Sequence, residues 1–440
     1  MRDSKGGMLP ATLSNSDLRD RLRELATLFL QLGCTGFGGP PAHMALMTEA
    51  VVTQRGWLTA EELTEGIALC EMLPGPASTQ LGIYIGYCRA GWWGALVAGL
   101  CFIAPAWIMV VTLAWAYFRY GALPVVSALF LGVSPVVVAI VLAFCWTLGR
   151  KLLLNNPHPW PRWAIAVITF LALRYSTLGL LWLFVGAGVA GLLWFGPGWR
   201  RLGAIAPVWL ASPLLATLSP EPLAVASVWG WERIGTYGWP LAWFFLRAGT
   251  LVFGGGLTIV PLLELEVVQR FGWLTRSEFL HGVAIGQVTP GPVLLTVAVV
   301  GYKVAGILGA LVATVAAFLP SFGFIGLAAP LLRRSRHNPW VKAFLQGISP
   351  AVLGAIAAVT VPLVQAALLL DRPASALSWV TGGLLVGALV GLLRFRLKVW
   401  QLLLVGAIVG LGLGWLPGVG AVNPVGTWPY APTRIFSVLS

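Results

Sequence analysis

Two short runs interrupt otherwise apolar sequence: Gly38-Gly39-Pro40 with His43 close behind, and Pro74-Gly75-Pro76 followed by Ser78, Thr79 and Gln80. No undisturbed helix accommodates them. Proline lacks an amide donor and clashes with the preceding turn, while glycine is poorer than alanine in a helix by about 1 kcal/mol and permits positive φ. Backbone groups freed at membrane depth are tolerable only where protein or a watery cavity satisfies them. Each break also starts a new half-helix, whose first amides have no intrahelical partner and whose dipole places about half a positive charge there. Such ends can bind an anion without any lysine or arginine.

Both runs recur. Phe37-Gly38-Gly39 matches Phe253-Gly254-Gly255, with Thr258 just after it, at a spacing of 216 residues. Pro290-Gly291-Pro292, bracketed by Thr289 and Thr296, matches the first Pro-Gly-Pro at that same spacing, as does Gly272-Trp273-Leu274-Thr275 for Gly56-Trp57-Leu58-Thr59. One residue is then lost, and Gly86-Tyr87 meets Gly301-Tyr302 and Ser134-Pro135 meets Ser349-Pro350 at 215. The chain is an internal duplication. Matched Gly/Pro interruptions in two halves are the usual sequence pointer to a transporter's binding site. The competing reading is that these glycines only let helices approach closely, which would not require prolines at matched places.

Acidic residues are scarce, with none from 72 to 220, from 279 to 370, or after 371. Glu71 stands three residues before Pro74, where an ionised group costs at least about 2.5 kcal/mol unless paired. It is a candidate for proton exchange, or else a neutral carboxyl that bonds exposed backbone; its counterpart is Gln287. His43, of a type that titrates near neutrality, is a candidate relay or a cap on the break. Glu264 and Glu266 are expected to be solvated ends of a helix leading to Arg270. Arg89 and Lys303 are expected to snorkel to the interface, and Trp57 and Trp273 to anchor there.

The elements that must position these groups are membrane helices. The sequence is 58% hydrophobic and 10% charged, with 22 tryptophans and a mean hydropathy of +0.85. Apolar runs reach the length of about 20 residues that a helical crossing needs, and nothing alternates as an outer-membrane strand would. The net charge of +13 is spread over short loops, which excludes a nucleic-acid patch and reads as orientation signal. The five cysteines have no paired spacing and read as buried fillers, the four histidines form no metal cluster, and no phosphate-binding Gly-x-x-x-x-Gly-Lys motif occurs. No cofactor is expected.

Residues 1–23 read as a cytoplasmic tail without a cleavable leader, 24–200 as a first transmembrane repeat, 201–239 as an apolar linker, 240–416 as a second repeat, and 417–440 as a C-terminal tail. Each repeat shows six apolar segments; the first of each half are 24–49 and 240–266, and 162–175 is the shortest. In the first half the basic residues Arg150, Lys151, Arg200 and Arg201 fall at junctions of one parity. In the second, Arg333, Arg334, Arg394, Arg396 and Lys398 fall at the opposite parity. Keeping both sets in the cytoplasm makes the linker cross. The expected fold is an all-α polytopic membrane protein with about thirteen crossings, its two inverted-topology repeats bringing broken helices together near the bilayer midplane. Re-entrant behaviour of both broken segments would leave this parity unchanged.

Phe37-Gly38-Gly39-Pro40 with His43, Gly56-Trp57-Leu58, Pro74-Gly75-Pro76 and their second copies resemble the chromate ion transporter (CHR) family, long two-domain type. Two departures, Gly256 for Pro40 and Ile259 for His43, suggest unequal halves. The resemblance implies a secondary transporter of the bacterial cytoplasmic (inner) membrane, N-terminus inside, exporting chromate with sulfate as a related or competing ion. Potential or a proton gradient would drive it, since each negative charge leaving gains about 2.3 kcal/mol per 100 mV. Its partners would be chromate and the lipid bilayer, with no nucleic acid and with a homo-oligomer left open. The alternatives are a carrier for sulfate or another small anion, a nonselective channel, and a membrane-embedded enzyme acting on lipid phosphates.

Overall fold

The computed structural model describes residues 15–154, 159–176, 179–196, 223–252, 256–335, 339–368 and 376–415. Among these residues all regular structure is helical, as expected where lipid offers backbone groups no hydrogen bonds. The first half comprises α1 (Asn15–Thr35), α2 (Gly39–Thr48, prolonged by a π-helical stretch Glu49–Gln54), α3 (Ala60–Met72), α4 (Ala77–Tyr120), α5 (Pro124–Gly149), α6 (Pro159–Tyr175) and α7 (Leu180–Phe195). The second half repeats the order: α8 (Trp231–Leu251), a 3-10 turn and short α9 (Val260–Leu263) prolonged by a π-helical stretch Glu264–Arg270, α10 (Arg276–Val288), α11 (Thr296–Ser335), α12 (Pro339–Ala367), α13 (Ala376–Leu393) and α14 (Val399–Gly414). Helix α8 begins inside the expected linker, ahead of residue 240; residues 201–222 of that linker lie outside the described residues.

The duplication extends to backbone detail. Thr59 with Glu62 and Thr275 with Glu278 form matching capping boxes at the starts of α3 and α10, each satisfying two otherwise orphan amides. Two matching turns also divide the long helices. Ala90 and Gly91 (φ 61°) leave helical geometry within α4, as do Ala305 and Gly306 (φ 55°) within α11. Gly86 then lies directly against the carbonyl of Gly94, and Gly301 against that of Gly309. In a straight helix such residues would be about 12 Å apart. Each long helix is therefore a hairpin with a short arm (77–90, 296–305) and a long one (91–120, 306–335).

Side-chain contacts show where the broken segments return. Arg89, at the turn of α4, pairs with Glu24 of α1 at 2.9 Å and stands over the ring of Trp57, in the loop between α2 and α3. Residue 24, where the first apolar segment begins within α1, that loop and the α4 turn thus share one end of the molecule. In the second half Lys303, at the α11 turn, pairs with Glu278 at the start of α10, and Gly230, before α8, lies against Ala305. Each broken segment comes back to the end of the molecule it left, so the first two segments of each half are folded as hairpins, the arrangement under which the parity read from the basic residues is unchanged. The reason is that a break which frees the backbone also lets it reverse.

Among the described residues, four helices are long and apolar enough to cross a membrane, Ala77–Tyr120, Pro124–Leu153, Val293–Gly326 and Lys342–Ala367, and three shorter apolar ones accompany them. The halves exchange partners. Helix α5 packs on α13 and α14 of the second half, and α12 packs on α6 and α7 of the first. Glycines make both contacts close: Gly132 abuts Gly406 and Gly410, and Gly347 abuts Ala187 and Gly191. Small residues serve this purpose in lipid, where no hydrophobic force drives helices together. The long arms of α4 and α11 also pack on each other, with the Phe322 ring over Gly99 and the Trp107 indole N–H donating to the Ala310 carbonyl. Numbers rise on one arm as they fall on the other, so these two arms run antiparallel.

Burial overturns several expectations for charged and aromatic residues. Glu264 is fully buried and Glu266 nearly so; the first faces Arg276 at 3.6 Å and the second pairs with Arg270 and Arg247. They are not solvated, because the π-helical stretch that carries them packs inside the second half. Lys303 is buried and bonded to Glu278 at 2.6 Å, and so does not snorkel. Trp273 is buried, stacked on Phe271, whereas Trp57 is only half-buried. Of the cysteines, Cys70 is buried but Cys34 is exposed.

Candidate anion-binding site

The breaks meet in a reciprocal pattern. Gly75 of the first Pro-Gly-Pro adopts φ +128° and donates its amide to the carbonyl of Val252, where α8 ends. Gly291 of the second adopts φ +100° and donates to the carbonyl of Gly36, where α1 ends. Residue 36 corresponds to 252 and 75 to 291, so each half's second break is fastened to the other half's first. The long arms complete the exchange: Ser321 of α11 lies against Gly75, and Ala106 of α4 against Gly291. Contact of i with j matched by j with i is the mark of a two-fold relation.

At the first Pro-Gly-Pro, Pro76 caps α4 without any side-chain bond to its leading amides. Ser78, Thr79 and Gln80 follow, each almost fully buried. The Gln80 amide nitrogen donates to the Pro74 carbonyl at 2.5 Å and thereby fixes the turn. At the second, the hydroxyls are consumed locally. Thr289 donates to Ile285 and Thr296 to Val293, and a 3-10 turn, Val293–Leu295, precedes α11. Gly256 lies against Val293, and Thr258 is buried. Gly254 and Gly255 lie outside the described residues.

At the first glycine break, Gly38 (φ +108°) and Gly39 (φ +76°) make the turn into α2, with Pro40 in its first turn. Gly38 is exposed and Gly39 and Pro40 are half-exposed, so their outer side is open. His43 is buried, its Nε2 2.9 Å from the Gly36 carbonyl and its ring edge-on to Phe102. It therefore braces the carbonyl that also receives Gly291. Glu71 is on the exposed side of α3, which rests on its own half, whereas α10 is gripped by α5, α12 and α14.

Sequence reading missed two participants. Val252 contributes only a carbonyl, which leaves no signal in side-chain type. Ser321 stands alone in an apolar stretch, and its one signal was being the polar counterpart of Ala106 at the 215-residue spacing. A buried cluster at the α11 turn also went unread: Tyr117 bonds His281 at 2.8 Å, beside the Glu278–Lys303 pair. A cavity of about 200 Å³ lined by Arg174, Gln269 and Arg276 lies apart from the breaks, between α6, α12 and the second π-helical stretch.

A multi-pass membrane protein, all-helical among its described residues, whose interrupted helices are joined across two repeated halves is built as a transporter. The profile of the chromate transporter family matches residues 23–192 and 239–411. The chain is 37% identical over 369 residues to the chromate transport protein of Cupriavidus metallidurans, covering 83% of this chain and 88% of that one. It is 36% identical over 344 residues to the probable chromate transport protein of Synechococcus elongatus, covering 78% and 84%. A chromate transport protein of Pseudomonas aeruginosa is 30% identical over 353 residues, covering 78% and 81%. No solved structure matches. The chain belongs to the chromate transporter family, a family of transporters and not of enzymes.

Proposed function

We propose that this protein exports chromate from the cytoplasm across the bacterial inner membrane, binding it where the four helix breaks meet. The observation that carries this is the reciprocal pair of amide bonds, Gly75 to Val252 and Gly291 to Gly36. They bring half-helix ends, which favour anions through unpaired amides and aligned dipoles, to contacts between the two halves. The names of the relatives supply the ion, and hydrogen-bond donors without a fixed cation suit a small tetrahedral oxyanion.

Inverted halves are supported by the antiparallel long arms of α4 and α11, as a two-fold axis perpendicular to helices long enough to cross the membrane would produce. The basic residues agree: Arg150 and Lys151 after α5, and Arg394, Arg396 and Lys398 after α13, fall on one side if the linker crosses. The N-terminus is then cytoplasmic. Membrane potential is sufficient drive, since each negative charge leaving gains about 2.3 kcal/mol per 100 mV. Glu71, exposed on the side of the first-half hairpins, and His43, on the braced carbonyl, are the groups through which a proton gradient would contribute.

Everted membrane vesicles bearing the full chain should accumulate radiolabelled chromate and stop when the potential is collapsed. Accumulation of sulfate in place of chromate would establish the carrier reading with a different ion. Equal flux in both directions without saturation would mean a channel.

A further inference from the structure

Hydroxyls inside membrane helices ordinarily donate to the carbonyl four residues back, and several buried ones here do so. Ser134 donates to Phe130 at 2.8 Å, Thr314 to Ala310 at 2.8 Å, and Thr360 to Ile356 at 2.6 Å. Ser321 does not. It is fully buried, its Oγ has no hydrogen-bond partner, and that oxygen lies against Gly75 beside the Gln80 amide. Two further atoms in the same turn are in the same condition, the Thr79 hydroxyl and the Gln80 Oε1, both on residues with no exposed surface. A buried polar group left without a partner is destabilising. The three lie on two segments from opposite halves, Ser321 on α11 and Thr79 and Gln80 in the first turn of α4, and a polar ligand at the Gly75 turn would supply what they lack.

We infer that Ser321, Thr79 and the first amides of α4 form a single binding place for a tetrahedral oxyanion, and that the symmetry-related position in the second half is not one. Ser321 reaches it from the second half and Thr79 from the first, so the ion bridges the halves. The hydroxyls donate to its oxygens, the α4 amides left unbonded by Pro76 add to them, and Gln80 Oε1 accepts from a water the ion retains. At the counterpart position Gly291 meets Ala106, which has no hydroxyl, and Thr296 has spent its own on Val293. Duplication thus built two similar turns, and substitution left donors at one. The assignment rests on the anion-binding reading above but can fail separately from it.

The test is equilibrium binding of radiolabelled chromate to the purified full-length protein in detergent, with molybdate and sulfate as competitors. Ser321→Ala and Thr79→Val should each weaken binding at least about tenfold, which is 1.4 kcal/mol, while Ser321→Thr, which restores a hydroxyl, binds as the parent does. Ser134→Ala, whose hydroxyl is satisfied within its helix, should leave binding unchanged. Thermal unfolding of each variant shows that it is folded. Parental binding by both Ser321→Ala and Thr79→Val overturns the site, whatever the vesicles do. Hydroxyl-dependent binding by a protein whose vesicles accumulate no chromate keeps the site and removes the export reading. Displacement of chromate by sulfate or molybdate in the parent, weakened in Ser321→Ala, extends the site to that ion.

Discussion

The amide of Gly75 donates to the carbonyl of Val252 at 2.6 Å, so the Pro-Gly-Pro turn of the first half is fastened to the helix end of the second. Gly75 holds φ +128° to do so and has Gln80 and Ser321 against the face where a side chain would stand. A methyl there adds left-handed strain of roughly 1–2 kcal/mol to a collision. Gly75→Ala is expected to bring chromate accumulation down to background. Gly323→Ala, in helical geometry with open space around it, is expected to be neutral or to gain up to about 1 kcal/mol in stability. Similar transport in both variants would mean the turn tolerates movement.

The Glu278–Lys303 pair ties α10 to the α11 turn with both side chains buried. Removing one partner strands a charge, so Lys303→Met should destabilise the protein by about 3–5 kcal/mol, read as a lower unfolding midpoint in detergent. Glu278→Gln combined with Lys303→Met should recover much of it, because no uncompensated charge is left. A double variant as unstable as the single one would show that the pair itself, and not the stranded carboxylate, sets the stability.

Helices α5 and α12 make their closest contacts through Gly132 and Gly347. Enlarging either residue forces backbones apart, and Gly132→Leu and Gly347→Leu are each expected to cost about 3 kcal/mol or more and to reduce the folded fraction on size exclusion. Gly387→Leu on α13, with nothing close by, should fold normally. Unequal loss at 132 and 347 would show that the exchange of helices between halves is lopsided.

Val228 lies beside the α11 turn, its carbonyl bonded by Ile307, while Arg150 follows α5. Cysteines placed at these two exposed positions, with the native cysteines removed, should react oppositely with a membrane-impermeant thiol reagent. Val228→Cys should label in intact cells and Arg150→Cys only after permeabilisation. Labelling of both from the same side would contradict inverted halves.

Glu71→Gln should leave potential-driven chromate accumulation intact and alter the response of everted vesicles to an imposed pH gradient. His43→Gln should weaken transport under every drive, because the imidazole also supports the Gly36 carbonyl that receives Gly291. An unchanged pH response in Glu71→Gln removes that carboxyl from coupling.

The duplication, the membrane character and the four interruptions were legible in the sequence because each depends on local residue type and spacing: proline and glycine break a helix wherever they stand, and apolar runs of crossing length declare themselves. Tertiary structure alone decided that the broken segments turn back, that Val252 and Ser321 belong to the first Pro-Gly-Pro, and that Glu264, Glu266 and Lys303 are buried with partners. Those outcomes turn on which faces of distant segments pack together. A charged residue beside an apolar run has the same local sequence whether water or an arginine from another helix awaits it, and only the packed chain distinguishes them.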